Sequence, residues 1–144
     1  MITVADFMSR ELVTVKEDDD LALAESILRL GGIRHLPVVR QGKLMGLVTQ
    51  RDLLRSGASG GSPAARAIAA RDIMTREVTT VGPETSLAHA AHLMLRHKYG
   101  CLPVCGPEGT LLGIITESDF VRFAADVVQD LDLVREAASA RSNA

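Results

Sequence analysis

Two seven-residue segments carry the side chains best placed to do chemistry: Gly46-Leu47-Val48-Thr49-Gln50-Arg51-Asp52 and Gly113-Ile114-Ile115-Thr116-Glu117-Ser118-Asp119. Each ends a short apolar run with a Thr and sets an Asp three residues later, where a helix is expected to begin. The spacing has two readings, and they are compatible. As structure, Ser/Thr-x-x-Asp before an apolar run resembles a capping box, although that motif prefers the longer Glu or Gln. As chemistry, a helix start offers free N–H groups and a positive dipole end to a phosphate. An Asp beside it can accept hydrogen bonds from a ribose diol, as the acidic residue of dinucleotide folds does. The pattern suits a nucleotide.

Other constellations point to structure. His89 and His92 share a helix face and His97 lies near its end, but zinc needs further convergent ligands, so no metal site is expected. Asp18-Asp19-Asp20 lacks the alternating ligands and central glycine of a calcium loop and reads as a helix N-cap. Cys101 and Cys105 fall in one expected strand, where four residues span about 13 Å, too far for a disulfide. Both read as small buried apolar residues. His35 reads as a plain strand histidine, with a place near a phosphate as the alternative. With no nucleophile–base pairing and no Walker-type loop, the chain is not expected to be an enzyme.

Composition narrows the class further. The 144 residues carry 16 Lys+Arg against 18 Asp+Glu, so the basic face that nucleic acid requires is not expected. One Tyr, three Phe and no Trp leave little for a base-stacking platform. A hydrophobic share of 47% describes a folded domain, and no apolar run reaches the roughly 18 residues of a membrane span. The first ten residues lack a signal-peptide pattern, so a cytoplasmic location is the expectation.

The elements that must position these residues occur twice. Asp6-Phe7-Met8-Ser9-Arg10-Glu11 returns 66 positions later as Asp72-Ile73-Met74-Thr75-Arg76-Glu77. Thr14-Val15 meets Thr80-Val81, Leu21-Ala22 meets Leu87-Ala88, and Leu36-Pro37-Val38 meets Leu102-Pro103-Val104 at the same offset. One inserted residue near Pro107 then brings Gly42, Gly46, Thr49 and Asp52 onto Gly109, Gly113, Thr116 and Asp119. Such a repeat is a duplicated supersecondary unit.

Each copy reads as β-α-β-β-α. Leu12 to Val15 and Val78 to Val81 are short β-branched runs. Acidic and hydroxyl residues at 18–20 and 84–86 then cap helices whose apolar faces are Leu21, Ala24, Ile27, Leu28 and Leu87, Ala90, Ala91, Met94. His35 to Val39 with Lys43 to Thr49, and Cys101 to Cys105 with Leu111 to Thr116, form hairpins around glycine-bearing turns. Ser56 to Gly61 reads as a flexible linker, and Ser62-Pro63 opens a short helix through Ala70. A last helix from Ser118 to about Ala138 carries a packing seam of Phe120, Ala124, Val127, Leu131, Val134 and Ala138, with Arg141 to Ala144 fraying.

These paired units resemble CBS domains, named for cystathionine β-synthase, which occur in tandem as the Bateman module. The resemblance covers about residues 3 to 55 and 69 to 124. It rests on Ile33-Arg34-His35-Leu36-Pro37-Val38-Val39, Tyr99-Gly100-Cys101-Leu102-Pro103-Val104 and the two Gly-x-x-Thr-x-x-Asp segments. It implies an α+β fold of two repeats packed sheet to sheet about a pseudo-two-fold. The divisions are then 1–55 for the first repeat, 56–68 for the linker and the start of the short helix, 69–124 for the second repeat and 125–144 for the helical extension.

The resemblance also implies a function. The chain is expected to be a non-catalytic sensor binding an adenine nucleotide, AMP or ATP as regulatory ligand, in clefts shared between the repeats, with no required cofactor. Asp52 and Asp119 would hold ribose hydroxyls, and Thr49 with Arg51, or Thr116 with Ser118, would meet phosphates. Thr79 and Tyr99 would lie beside Asp52, and Val13 and Ile33 beside Asp119. Adenine would be met by backbone hydrogen bonds and apolar contact near Leu36-Pro37 or Leu102-Pro103. Because Arg51 and Tyr99 have only Ser118 and Ile33 as counterparts, with Glu117 adding a like charge near a phosphate, the Asp52 cleft is expected to take the tighter or more phosphorylated ligand. The resemblance implies a homodimer, with Leu23, Leu30, Val121 and Val128 as surplus apolar edges that either meet the second copy or belong to the core, and a free-standing pair would signal through an effector protein. The competing reading is a ligand-free scaffold or dimerisation protein of the same fold.

Overall fold

The computed structural model describes residues 1–57 and 63–144; the Ser62 cap and the linker residues 58–61 lie outside the described residues. The first repeat supplies β1 (Val15–Lys16), α1 (Leu21–Gly31), β2 (His35–Arg40), β3 (Lys43–Thr49) and α2 (Gln50–Ser56). After α3 (Ala70–Ile73), the second supplies α4 (Leu87–His97), β4 (Cys101–Cys105), β5 (Leu111–Thr116) and α5 (Glu117–Ser142). The architecture is α+β, with two small sheets. β1 runs parallel to β2, β2 antiparallel to β3, and β4 antiparallel to β5.

Local chemistry sets the boundaries. The Asp20 carboxylate accepts from the Leu23 N–H at 2.8 Å to start α1, and the Ser86 hydroxyl accepts from His89 N–H at 3.1 Å to start α4. Gly32, at φ 61°, ends α1 in the left-handed conformation a glycine takes freely. Gln41 and Gly42 both have positive φ, the geometry of a tight two-residue hairpin turn.

The two hydrophobic cores are related residue by residue. Val15, Leu21, Ala24, Leu28, Leu36, Val38 and Val48 fill one, and Val81, Leu87, Ala90, Met94, Leu102, Val104 and Ile115 fill the other. Each core, however, is completed by the opening segment of the other repeat. Val4 and Met8 are buried in the second core, and Ala70 and Met74 in the first. Backbone pairing holds the exchange: Ser9 with Ile114 of β5, and Thr75 with Leu47 of β3. The glycine that opens each seven-residue segment lies at these crossings. A Cβ on Gly46 would stand 2.7 Å from the Thr75 carbonyl oxygen, and one on Gly113 2.8 Å from that of Ser9.

The exchange explains where the sequence expectations give way. Of the strand expected over Leu12 to Val15 only Val15 is strand, with Lys16 added, and of Val78 to Val81 only a single bridge from Val81 to Val104 survives. The residues between cross from one half to the other and have no neighbouring strand to pair with. The helix expected through Ala70 is broken into a 3-10 turn, Pro63–Arg66, and the separate α3. Ala69 between them is extended and bridges Asp20, while Ala70 N–H donates to the Asp19 carbonyl at 2.8 Å.

The last helix runs to Ser142, beyond the expected end near Ala138 and through part of the tail expected to fray. Phe120 and Phe123 pack on the second core, with Phe123 edge-on to Phe7 at 4.6 Å between ring centroids. From Ala124 onward the helix is exposed, so the expected seam of Val127, Leu131 and Val134 meets no partner within the described residues. No helix among those residues is long and apolar enough to cross a membrane.

Candidate functional site

Two clefts lie between the halves, each lined by residues of both repeats. In the first, of about 520 Å³, the β3–α2 junction brings Thr49, Arg51 and Asp52 opposite Thr79 and Tyr99. In the second, of about 540 Å³, the β5–α5 junction brings Thr116, Ser118 and Asp119 opposite Val13, Ile33 and Pro37. Cavities of this size suit a small organic ligand. Three other expected residues do not reach either wall. Leu36, Leu102 and Pro103 are fully buried, Leu36 and Leu102 in the hydrophobic cores.

Each Asp both caps its helix and faces its cleft. Asp52 Oδ2 accepts from Thr49 N–H at 2.8 Å and from the Thr49 hydroxyl at 3.0 Å, while Thr49 Oγ1 accepts from Asp52 N–H at 3.3 Å. A capping box is therefore made with Asp in place of the longer acid. Its Oδ1 bonds to no described residue, so one oxygen is left for a ligand. Asp119 Oδ2 accepts likewise from Thr116 N–H at 2.8 Å and the hydroxyl at 3.2 Å. Here the other oxygen is taken: Arg122 donates to Asp119 Oδ1 at 3.2 Å.

The charged lining was largely missed by sequence reasoning. Arg34, His35, Gly100 and Glu117 line both clefts. Arg55, Lys98 and Glu77 complete the first, and Arg122 and Glu11 the second. Arg34, Gly100, Lys98 and Glu77 sit on connections that only the tertiary exchange draws together, so no local spacing announces them. Arg55 lies one turn beyond Arg51 on α2, and that helical step was the available signal. His35 is more than the plain strand histidine first read there, because its ring stands between the two cavities. Burial pulls its pKa below the ordinary imidazole value; Glu117 opposes that shift and Arg34 adds to it.

Tyr99 is held from two sides. Its hydroxyl accepts from Thr79 Oγ1 at 3.0 Å, and its ring stacks on His97, with centroids 5.2 Å apart and planes 18° from parallel. Cys101, on the first wall, has its thiol pushed up to about 12 by burial, and burial also raises Cys105. Neither therefore offers a thiolate nucleophile at neutral pH. Among the described residues no three His, Cys, Asp or Glu side chains converge as a metal site.

Comparison with known proteins identifies the family. The CBS domain family matches residues 4–59 and again 70–126. The chain is 38% identical over 113 residues to the inosine-5'-monophosphate dehydrogenase of Korarchaeum cryptofilum, covering 78% of this chain but 22% of that protein. It spans between 20 and 24% of the length of that enzyme and of the homoserine O-acetyltransferases that follow it in similarity. Among solved structures, CBSX2 of Arabidopsis thaliana in complex with AMP superposes with a TM-score of 0.77 at 31% identity, covering 88% of this chain and 98% of that one. The CBS domain pair of protein MJ0100, in complex with 5'-methylthioadenosine and S-adenosyl-L-methionine, gives 0.76 at 28%, with the same coverage. The duplicated α+β units with their paired clefts, seen first as a repeat in the sequence, place the chain in the CBS domain family, with two such domains in tandem.

Proposed function

We propose that this chain is a regulatory module that binds an adenine nucleotide, AMP or ATP, in the Asp52 cleft and signals by a shift in conformation. The carrying observation is the composition of that cleft. A carboxylate oxygen free for a ribose diol lines the same cleft as Arg34, Arg51, Arg55 and Lys98, cations suited to phosphate. Tyr99, backed on one face by His97, offers the other face to a base. The AMP held by CBSX2 and the adenosyl compounds held by MJ0100 support the same ligand class.

The module performs no chemistry of its own in this reading. A ligand bound across two repeats favours whichever relative arrangement it binds better, and the population shifts accordingly. The listener is an effector protein or further domain, the working location is the cytoplasm, and the module acts as a homodimer. Leu23, Leu30 and Val121, at 45, 82 and 69% exposure, are the apolar positions read as its contact with a second copy. Light scattering at high micromolar concentration tests that last point, and a monomer would refute it.

Calorimetric titration of nucleotide-stripped protein with AMP, ADP, ATP, NAD and S-adenosylmethionine tests the ligand. Saturable binding whose Asp52-cleft step is lost in Asp52→Ala is the expected result. No binding to any of them would instead favour a ligand-free scaffold of the same fold.

A further inference from the structure

The repeats match position by position, but at the shared wall they differ in kind. Arg34 and His35 of the first repeat correspond to Gly100 and Cys101 of the second. A Cβ on Gly100 would lie 2.8 Å from both Cε1 and Nε2 of His35, so the imidazole fills the space a second arginine would need. The wall between the clefts therefore carries one guanidinium where exact duplication would give two. Arg34 is exposed, follows the Gly32 turn, and forms no ion pair among the described residues. The two clefts depend on it unequally. The first also has Arg51, Arg55 and Lys98, whereas the only other cation of the second, Arg122, is already paired with Asp119.

Resting on the nucleotide reading above, we infer that Arg34 is a phosphate-binding cation shared by both clefts, so that a phosphorylated ligand in the Asp52 cleft weakens phosphate binding in the Asp119 cleft. One guanidinium cannot give its full set of hydrogen bonds to two phosphates in separate cavities. With Arg34 drawn to the first cleft, Glu11, Glu117 and Asp119 face the second against Arg122 alone. The coupling is reciprocal in free energy, and it requires the phosphate: a neutral adenosine in both clefts leaves Arg34 uncontested.

The test is a titration of the full chain with AMP and, separately, with adenosine, followed by calorimetry. Tyr99 is the sole Tyr and there is no Trp, so intrinsic fluorescence reports the first cleft alone. Disabling the first cleft by Asp52→Ala, with Asp52→Asn as the variant that keeps more of the helix cap, is expected to tighten AMP binding at the Asp119 cleft by about fivefold or more. Arg34→Ala is expected to weaken that binding by about tenfold and abolish the difference between the two backgrounds. Arg34→Lys restores part of it, and adenosine shows no difference in any background. An Asp119 step equally tight, or equally absent, whether the first cleft is intact or disabled overturns the sharing, as does a difference that survives Arg34→Ala. If the unmodified protein binds neither AMP nor adenosine, the nucleotide reading itself falls and takes this inference with it.

Discussion

The Asp52 and Asp119 clefts are assembled from corresponding elements and have nearly equal volumes, yet their walls carry charge of opposite balance. Four cations face three carboxylates in the first, and two cations face three carboxylates in the second. Thr and Asp recur in both, where they also hold a helix start in place. Arg51 against Ser118, Tyr99 against Ile33 and Arg34 against Gly100 are positions where no backbone need is shared, and there the copies diverge. A side chain that serves folding as well as binding stays the same in both repeats, while those that only face the cavity set what each cavity prefers.

The largest expected effect breaks the comparison outright. Asp52→Ala removes the ribose acceptor of the first cleft and should weaken AMP there by about a hundredfold, in line with losing two hydrogen bonds to a charged group. It should also cost about 1 kcal/mol of stability through the lost cap, visible as a lower melting temperature. Asp119→Ala should spare the first cleft, as read by Tyr99 fluorescence. The reverse pattern would mean that the second cleft is the principal site.

A smaller effect sharpens the comparison. Exchanging Arg51→Ser and Ser118→Arg should move ATP preference from the first cleft toward the second by about tenfold each way, while adenosine affinity changes little. Equal changes for both ligands in a calorimetric titration would show that Arg51 does not meet phosphate. Below this lies the aromatic difference. Tyr99→Ala should cost about tenfold in AMP affinity by loss of a stacking face, and Ile33→Tyr should add part of that to the second cleft. Tyr99→Phe, which removes only the bond from Thr79, should stay within about threefold of the parent in the same titration.

The smallest effect concerns the wall the clefts share. His35 has a pKa below the imidazole reference of 6.5, chiefly through burial, with Glu117 opposing and Arg34 adding. The unfolded chain then binds the proton more readily than the folded one. Its contribution to stability is thus complete above about pH 6.5 and is lost as pH falls from there through the lower folded value. Denaturant midpoints measured from pH 7.5 to 5 should fall, and His35→Gln should flatten that slope. An unchanged slope would remove His35 as its source.

Much of this was legible in the chain because it is written twice. The hairpins at 35–49 and 101–116 and the caps at Asp20 and Ser86 follow from alternation and turn chemistry, which are local. The cleft partners Thr79, Tyr99, Val13 and Ile33 came from resemblance, not from spacing. What no local pattern carries is which half a segment joins. Val4 and Met8 read as the start of the first repeat, yet they are buried in the second core. From that one displacement follow the shortened first strands and the gathering of Arg34, Lys98 and Glu77 around one cavity. Leu36 and Leu102, expected to meet adenine through their backbone, turn their side chains into the two cores.

The exchange of opening segments also governs how the chain can acquire its structure. Ser9 pairs with Ile114, roughly a hundred residues away, and neither core is closed until the other repeat has arrived. During synthesis from the N-terminus, the first repeat can build its own strands and helix while residues 4–8 remain without their partner. The native contacts thus include a long-range closure that cannot form before the second repeat is made, the kind of step that slows folding. Until it occurs, Val4 and Met8 stay uncovered, and a nascent chain stalled after the first hairpin would display them to chaperones or to a second copy in the same condition.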